Sequence, residues 1–276
     1  MTHTVENGGN LGQQQMTRRE VLVAGARISA GAFAGAVLLD RMNPQAANAT
    51  EYPSTGDPIR PGEITRFTTM EGRVASITVD DMTYGPDNGG YFWDKMLTTA
   101  DRKGVNLTIF PTGQAVEENP DLLRRSIREG HEIGNHTYSH RPLDVMNPQD
   151  IDNEIMLQHD TVEEALGKPY SQKWLRPPYG AGAYFGQEDP ELVQVAKDRR
   201  LAMPMWSADS QAYNLSQTKA DRDASVAQAL RNLGNLRKGI IYILHGNAVD
   251  AAVLPKLIDR LHAKGIRIKP LRSAVP

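Results

Sequence analysis

Short apolar runs alternate with longer amphipathic stretches from Gly72 to the end of this chain. The runs at 74–79, 106–110, 132–134, 174–176, 202–205, 239–244 and 266–269 have strand length and end at turn-forming residues, so they predict strands. The stretches between them, 91–103, 120–129, 148–166, 190–200, 222–233 and 251–264, predict helices. Three of these open on a capping residue with proline at the first helical position: Asn119-Pro120, Asn147-Pro148 and Asp189-Pro190. Gly104, Gly130 and Gly265 stand where helices should stop. Strand and helix recurring about every thirty residues require parallel strands joined by crossover helices. About seven such units, with no break in composition, predict a single α/β barrel domain. In such a barrel the functional residues fall at the C-terminal ends of the strands. No sequence repeat is visible, which excludes a solenoid.

Three segments differ in character: 1–49, 50–71 and the domain at 72–276. Segment 50–71 carries Pro53, Pro58 and Pro61 without a sustained period and reads as a lead-in. In the first segment, Thr17-Arg18-Arg19-Glu20-Val21-Leu22 sets adjacent arginines before a weakly apolar stretch, 21–39. That stretch is rich in Ala and Gly and interrupted by Arg27, so it makes a poor membrane span. Ala47-Asn48-Ala49 then supplies the small residues a signal peptidase reads. Segment 1–49 resembles a twin-arginine signal cleaved after Ala49. That resemblance implies export by the twin-arginine machinery to the envelope or medium, with no stable membrane insertion after cleavage. The alternative is an uncleaved amphipathic helix.

Composition narrows the chemistry. With 31 basic and 33 acidic residues the formal charge is −2, so no basic field points to nucleic acid. A mean hydropathy of −0.48 excludes a polytopic membrane protein. The chain has no cysteine, so any metal must be held by His, Asp or Glu.

Polar residues stand at five of the expected strand ends. Asp80-Asp81 closes the first strand; adjacent carboxylates there call for a cation or an arginine, although alone they also fit a cap or a turn. His136 and His140 lie four residues apart, so one helical turn aims both imidazoles at a single point. Two histidines and a carboxylate form a catalytic zinc set that keeps positions open. His131 precedes its strand and reads as structural. Arg176-Pro177-Pro178-Tyr179-Gly180 fixes a turn after a short strand, with Arg176 free to pair with a carboxylate such as Asp80. Trp206-Ser207-Ala208-Asp209 offers an aromatic face suited to a sugar ring, and His245 ends a buried strand as a core group or an acid–base.

Taken in order, Thr78–Asp81, His136–His140, Arg176–Gly180, Trp206–Asp209 and Leu244-His245 resemble the five motifs of the polysaccharide deacetylases, carbohydrate esterase family 4, over roughly residues 72–272. The resemblance implies a distorted (β/α)7 barrel that removes acetyl groups from an acetylated polysaccharide such as chitin, peptidoglycan or another exopolysaccharide. It also implies that Asp81, His136 and His140 hold a divalent metal; zinc suits these ligands best, and cobalt, nickel or manganese also bind such sets. By the same resemblance Asp80 is the general base, Arg176 orients it, and His245 protonates the leaving amine. The Tyr179 backbone N–H helps hold the oxyanion, with Pro178 and Trp206 lining the substrate groove. The chain departs from the family pattern at Met82, where glycine is usual, and at Ala212 and Tyr213, where an Asp and a Trp are usual. That Asp normally supports the catalytic histidine, which leaves Asp209 as the expected substitute. Two other readings remain: a non-catalytic carbohydrate-binding barrel, and an amidohydrolase or esterase acting on a small molecule or on xylan.

The arginine pair generates the first prediction. Arg18→Lys combined with Arg19→Lys should leave precursor in the cytoplasm, and N-terminal sequencing of exported wild type should begin at Thr50. Unchanged secretion of the double variant contradicts a twin-arginine signal.

Overall fold

The computed structural model describes residues 60–65, 73–82, 90–184, 186–212, 219–234, 236 and 238–274; the expected signal, residues 83–89 and Tyr213 lie outside them. The central strand is β2 (Val74–Asp81), which follows the short β1 (Ile64–Thr65). Its sequence alternates from Ala75 to Asp80. Ala75, Ile77 and Val79 face the helical layer and pack with Trp93, Leu97, Leu254 and Leu257. The intervening Ser76, Thr78 and Asp80 are buried as well, and they reach polar partners. A strand buried on both faces reads as one apolar run; here the inward face is polar because it carries the site.

All pairings around β2 are parallel. On one side lie β3 (Thr108–Pro111) and then β4 (Glu132–Ile133). On the other lies β9 (Ile241–His245), followed by β8 (Ala208–Asp209). Bridges Asn135 to Leu175 and Trp174 to Ala202 carry the ring round to β7 (Met203–Pro204), which also pairs with β1. Segment 202–209 therefore closes the barrel, meeting Trp174 at one end and β9 at the other. The seventh strand, β10 (Arg267–Ile268), pairs only with the first two residues of β2. The result is the expected α/β architecture, a distorted (β/α)7 barrel. The strand expected at 174–176 is reduced to those two bridges, and the one expected at 202–205 is cut to two residues before the chain bends towards β9. A further two-stranded antiparallel pair, β5 (Ala183–Tyr184) with β6 (Gln187–Glu188), lies off the ring.

Crossover helices cover the outside: α1 (Tyr91–Lys103), α2 (Gly113–Glu118), α3 (Pro120–Arg128), α4 (Pro148–Leu166), α5 (Pro190–Asp198), α6 (Lys219–Asn232) and α7 (Ala248–Ala263). Asn147 and Asp189 cap as expected, accepting from Asp150 N–H, and from Glu191 and Leu192 N–H. Asn119 does not cap α3 with its side chain. It closes the unanticipated α2, its side-chain amide donating to Ala115 O at 3.2 Å. That helix has only six residues, too few to display a period, and Thr112 caps it. The barrel interior is filled by Phe110, Trp174 and Ile241, and the last helix, α8 (Leu271–Ala274), plugs it with Leu271 and Ala274.

His131 is structural, as its position implied. It is buried, and its Nδ1 accepts the Leu107 N–H at 3.0 Å. Burial pushes its pKa down to about 4, with Arg125 helping and Glu129 opposing. The folded protein thus keeps this imidazole neutral where the unfolded chain, at about 6.5, takes up a proton. The stability contributed is complete above pH ~6.5 and disappears as pH falls towards ~4, a change of about 3 kcal/mol. His131→Gln, which retains an acceptor, should flatten the pH dependence of stability in that window as read by urea unfolding at several pH values. An unchanged slope contradicts it.

Candidate active site

Asp80, Asp81, His136, Arg176, Asp209 and His245 all fall on the C-terminal rim of the barrel. Arg176 organises it from below. Fully buried, its guanidinium donates from Nη1 to Asp80 Oδ1 at 2.8 Å and to Thr78 Oγ1 at 2.6 Å. Nε and Nη2 donate to Pro204 O at 3.1 and 2.7 Å. The cation also lies over the Phe110 ring at 4.3 Å and the Trp206 ring at 5.8 Å. Burial lowers its pKa while Asp80 and Asp209 oppose the shift, and a guanidinium remains charged throughout. The expected pairing of Arg176 with Asp80 is present. Trp206 is half-buried against the guanidinium and is part of the rim's packing.

The histidines meet without a helix. Residues 135–140 form an irregular loop in which Thr137 and His140 take φ of 63° and 59°. His136 Nε2 and His140 Nε2 both converge on Asp81 Oδ1, at 3.2 and 3.0 Å. The ligand atoms of the three residues lie within 4.8 Å of one another. The Arg176 carbonyl is 2.6 Å from His136 Nδ1 and fixes that nitrogen as the donor, so Nε2 carries the lone pair. Three donors with this aim fit a divalent cation. Asp81 is held well below the usual carboxylate range: burial acts against this, but the His140 charge and hydrogen bonds from both histidines outweigh it. Burial likewise lowers the His136 pKa, and Asp81 and Asp80 overcome it to give a net rise. A cation between these groups takes the place of the shared protons.

Backbone strain gathers at the same spot. Asp81, Met82, Thr137, His140 and Tyr179 all have left-handed φ, between 48° and 69°. Met82 explains why its position suits glycine: it takes φ of 48° with its side chain fully buried. Tyr179 sits within the turn Pro178–Gly180, its ring edge-on to His140 at 4.7 Å, and Tyr184 Oη donates to its carbonyl. Pro178 is buried.

The residue expected to support His245 is Asp209. Asp209 Oδ1 accepts the Gln211 N–H at 2.7 Å, and its charge acts on Arg176. The carboxylate beside the imidazole is Asp250, whose Oδ2 lies 3.5 Å from His245 Nδ1 and accepts the His245 N–H at 2.7 Å. Burial lowers the His245 pKa, but Asp250, Asp81 and Asp80 together raise it to about 9.

Sequence reasoning also passed over Glu154. Its Oε2 accepts the N–H groups of Tyr138 and Ser139 at 3.1 and 2.9 Å, and Oε1 accepts Ser139 Oγ at 2.6 Å. It thereby holds the loop that presents His136 and His140. The signal was available: Ile151, Glu154, Ile155 and Gln158 form one buried helical stripe in which two members are polar.

The profile of the family described as Polysaccharide deacetylase matches residues 68–202. A peptidoglycan-N-acetylglucosamine deacetylase of Bacillus cereus is 30% identical over 207 residues, covering 72% of this chain and 66% of that protein. Residues 68–202 form a polysaccharide deacetylase domain. A chitooligosaccharide deacetylase of Sinorhizobium fredii is 26% identical over 71% of this chain and 88% of its own length. Among solved structures, the Bc1960 peptidoglycan N-acetylglucosamine deacetylase superposes with a TM-score of 0.62 at 25% identity, covering 76% of this chain and 91% of that one. The chain spans just under two thirds of the length of the Bacillus cereus relative.

Glu154→Ala should remove the acceptor of the part-buried Ser139 N–H and of Ser139 Oγ, while Tyr138 N–H keeps the carbonyl of residue 154, at a cost of about 1–3 kcal/mol. It should also weaken zinc binding about 10–100-fold. Thermal unfolding and zinc titration read the two effects, and wild-type zinc affinity in the variant contradicts the loop-holding role.

Proposed function

We propose that this chain is a metal-dependent hydrolase of N-acetyl groups on a glucosamine-containing glycan, exported to act on the cell envelope. Peptidoglycan strands are the first substrate to test, since the Bacillus cereus relative is named for that activity. The observation that carries the proposal is a register: Asp80 and His245 are direct neighbours on adjacent parallel strands, at the end where Asp81, His136 and His140 converge. An acid and a base therefore flank one metal-ligand set.

Asp81, His136 and His140 are the residues to hold the cation, with zinc the first choice. When bound, it polarises the scissile carbonyl and lowers the pKa of water towards ~7. The protein's own groups supply the rest. Asp80 takes the proton from the attacking water, and its bond to Arg176 keeps it aimed. The Tyr179 N–H stabilises the oxyanion; such donors contribute about 2.7–4 kcal/mol. His245 then gives a proton to the departing nitrogen, because an amine does not leave as an anion. Amide and water become acetate and free amine. An O-acetyl ester is open to the same groups, with less need of the final proton. Twin-arginine export carries folded proteins, which would allow the metal to be loaded before transport. Among the described residues no helix is long and apolar enough to cross a membrane.

Acetate release from peptidoglycan, chitooligosaccharides and acetylated xylan, with chelated and zinc-reconstituted protein, tests the activity and ranks the substrates. His136→Ala should lose both stoichiometric zinc and turnover while remaining folded. Asp80→Asn should keep zinc and lose about 10²–10⁴-fold in kcat. Full zinc content in His136→Ala, or zinc lost in Asp80→Asn and kept in Asp81→Asn, overturns these assignments.

A further inference from the structure

Asp250 is a fully buried carboxylate in the first turn of α7. Every donor that meets its Oδ2 at hydrogen-bond length is neutral: the His245 N–H at 2.7 Å, Ser210 Oγ at 3.0 Å and Asn247 Nδ2 at 3.5 Å. Among the described residues Oδ1 accepts no hydrogen bond. A carboxylate out of water needs a cation or it loses its charge. Among the described residues, the basic group at ion-pair distance is the His245 imidazole, with Nδ1 3.5 Å from Oδ2, an ion-pair contact without hydrogen-bond geometry.

The surroundings fix this carboxylate. Asn247 caps α7 by accepting the Asp250 N–H at 2.9 Å, and its Nδ2 donates to the Ala212 carbonyl at 3.1 Å. Ser210, which donates to Asp250, also accepts from Ala212 N–H at 3.4 Å. Asp250 is thus clamped between the helix it begins and the segment that follows β8. Helix capping alone accounts for less than this, because the side chain reaches back past Asn247 to the main chain and ring of His245.

We propose that Asp250 is the positioning residue for His245, holding Nδ1–H so that Nε2 is the nitrogen that delivers the proton. This rests on the reading of His245 as the acid in deacetylation. It moves that support from Asp209, on β8, to a helix N-terminus beyond β9. As the imidazolium gives up its Nε2 proton and becomes a neutral imidazole, the group facing Nδ1 is a carboxylate already dehydrated and already aimed, so little reorganisation accompanies the transfer.

The test compares zinc-loaded wild type, His245→Ala and Asp250→Asn on an N-acetylated glycan and on 4-nitrophenyl acetate, whose leaving group departs unprotonated. Asp250→Asn keeps the size of the side chain and a carbonyl to accept the His245 N–H. It should lose about 10–100-fold in kcat on the glycan, with KM and zinc content unchanged. Its rate on the aryl ester should stay close to wild type, and His245→Ala should show the same selectivity. Equal losses of Asp250→Asn on both substrates mean that Asp250 only supports the helix, and overturn the inference. A glycan rate at wild-type level in Asp250→Asn, with His245→Ala inactive, overturns it too. A fully active His245→Ala overturns the underlying reading of His245 instead. If Asp250→Asn does not fold, imidazole 15N shifts of wild type decide: a protonated Nδ1 supports the inference, and a bare Nδ1 with a protonated Nε2 refutes it.

Discussion

The structure depends on one buried cation. Arg176 sits inside the barrel with no exposure, and its guanidinium joins β2, through Thr78 and Asp80, to the Pro204 carbonyl. Removing one member of such a buried pair costs about 3–5 kcal/mol, because the other is left charged and dry. Its carbonyl binds His136 Nδ1, so the same residue that aims the carboxylate also sets the tautomer of a metal-ligand candidate. Phe110 and Trp206 cover the flat faces of the cation and keep water from competing for it. Gly134 allows this packing, for a Cβ there meets the Phe110 ring at 2.3 Å.

Much of this arrangement is legible in the sequence. Strand–helix alternation with no break in composition gives the barrel, and the polar residues ending each apolar run give the rim. The bounds of α1 and α4 follow from their periods, their glycine stops and, for α4, the Asn147-Pro148 start. What escaped has physical reasons. A stave made of two bridges has no length in which to alternate, so 174–176 looks like a strand and is barely one. His136 and His140 carry helical spacing, but left-handed backbone at Thr137 and His140 brings them together.

Asp209 and Asp250 show the limit more sharply. Asp209 is close to the expected motif in sequence, yet its carboxylate turns to the Gln211 amide. Asp250, five residues past His245, reads as an ordinary acidic residue in a first helical turn. Only the bend between β9 and α7 brings it under the imidazole. Spacing within one element reports which side chains share a face, and spacing across a bend does not.

The filled barrel has a consequence for traffic. Phe110, Trp174 and Ile241 occupy the interior and Leu271 with Ala274 stops its lower end, so nothing passes through. Under the proposed function, polymer, water and released acetate would all share the rim, and a glycan strand would have to lie across it sideways. Such a site would have no need of a chain end.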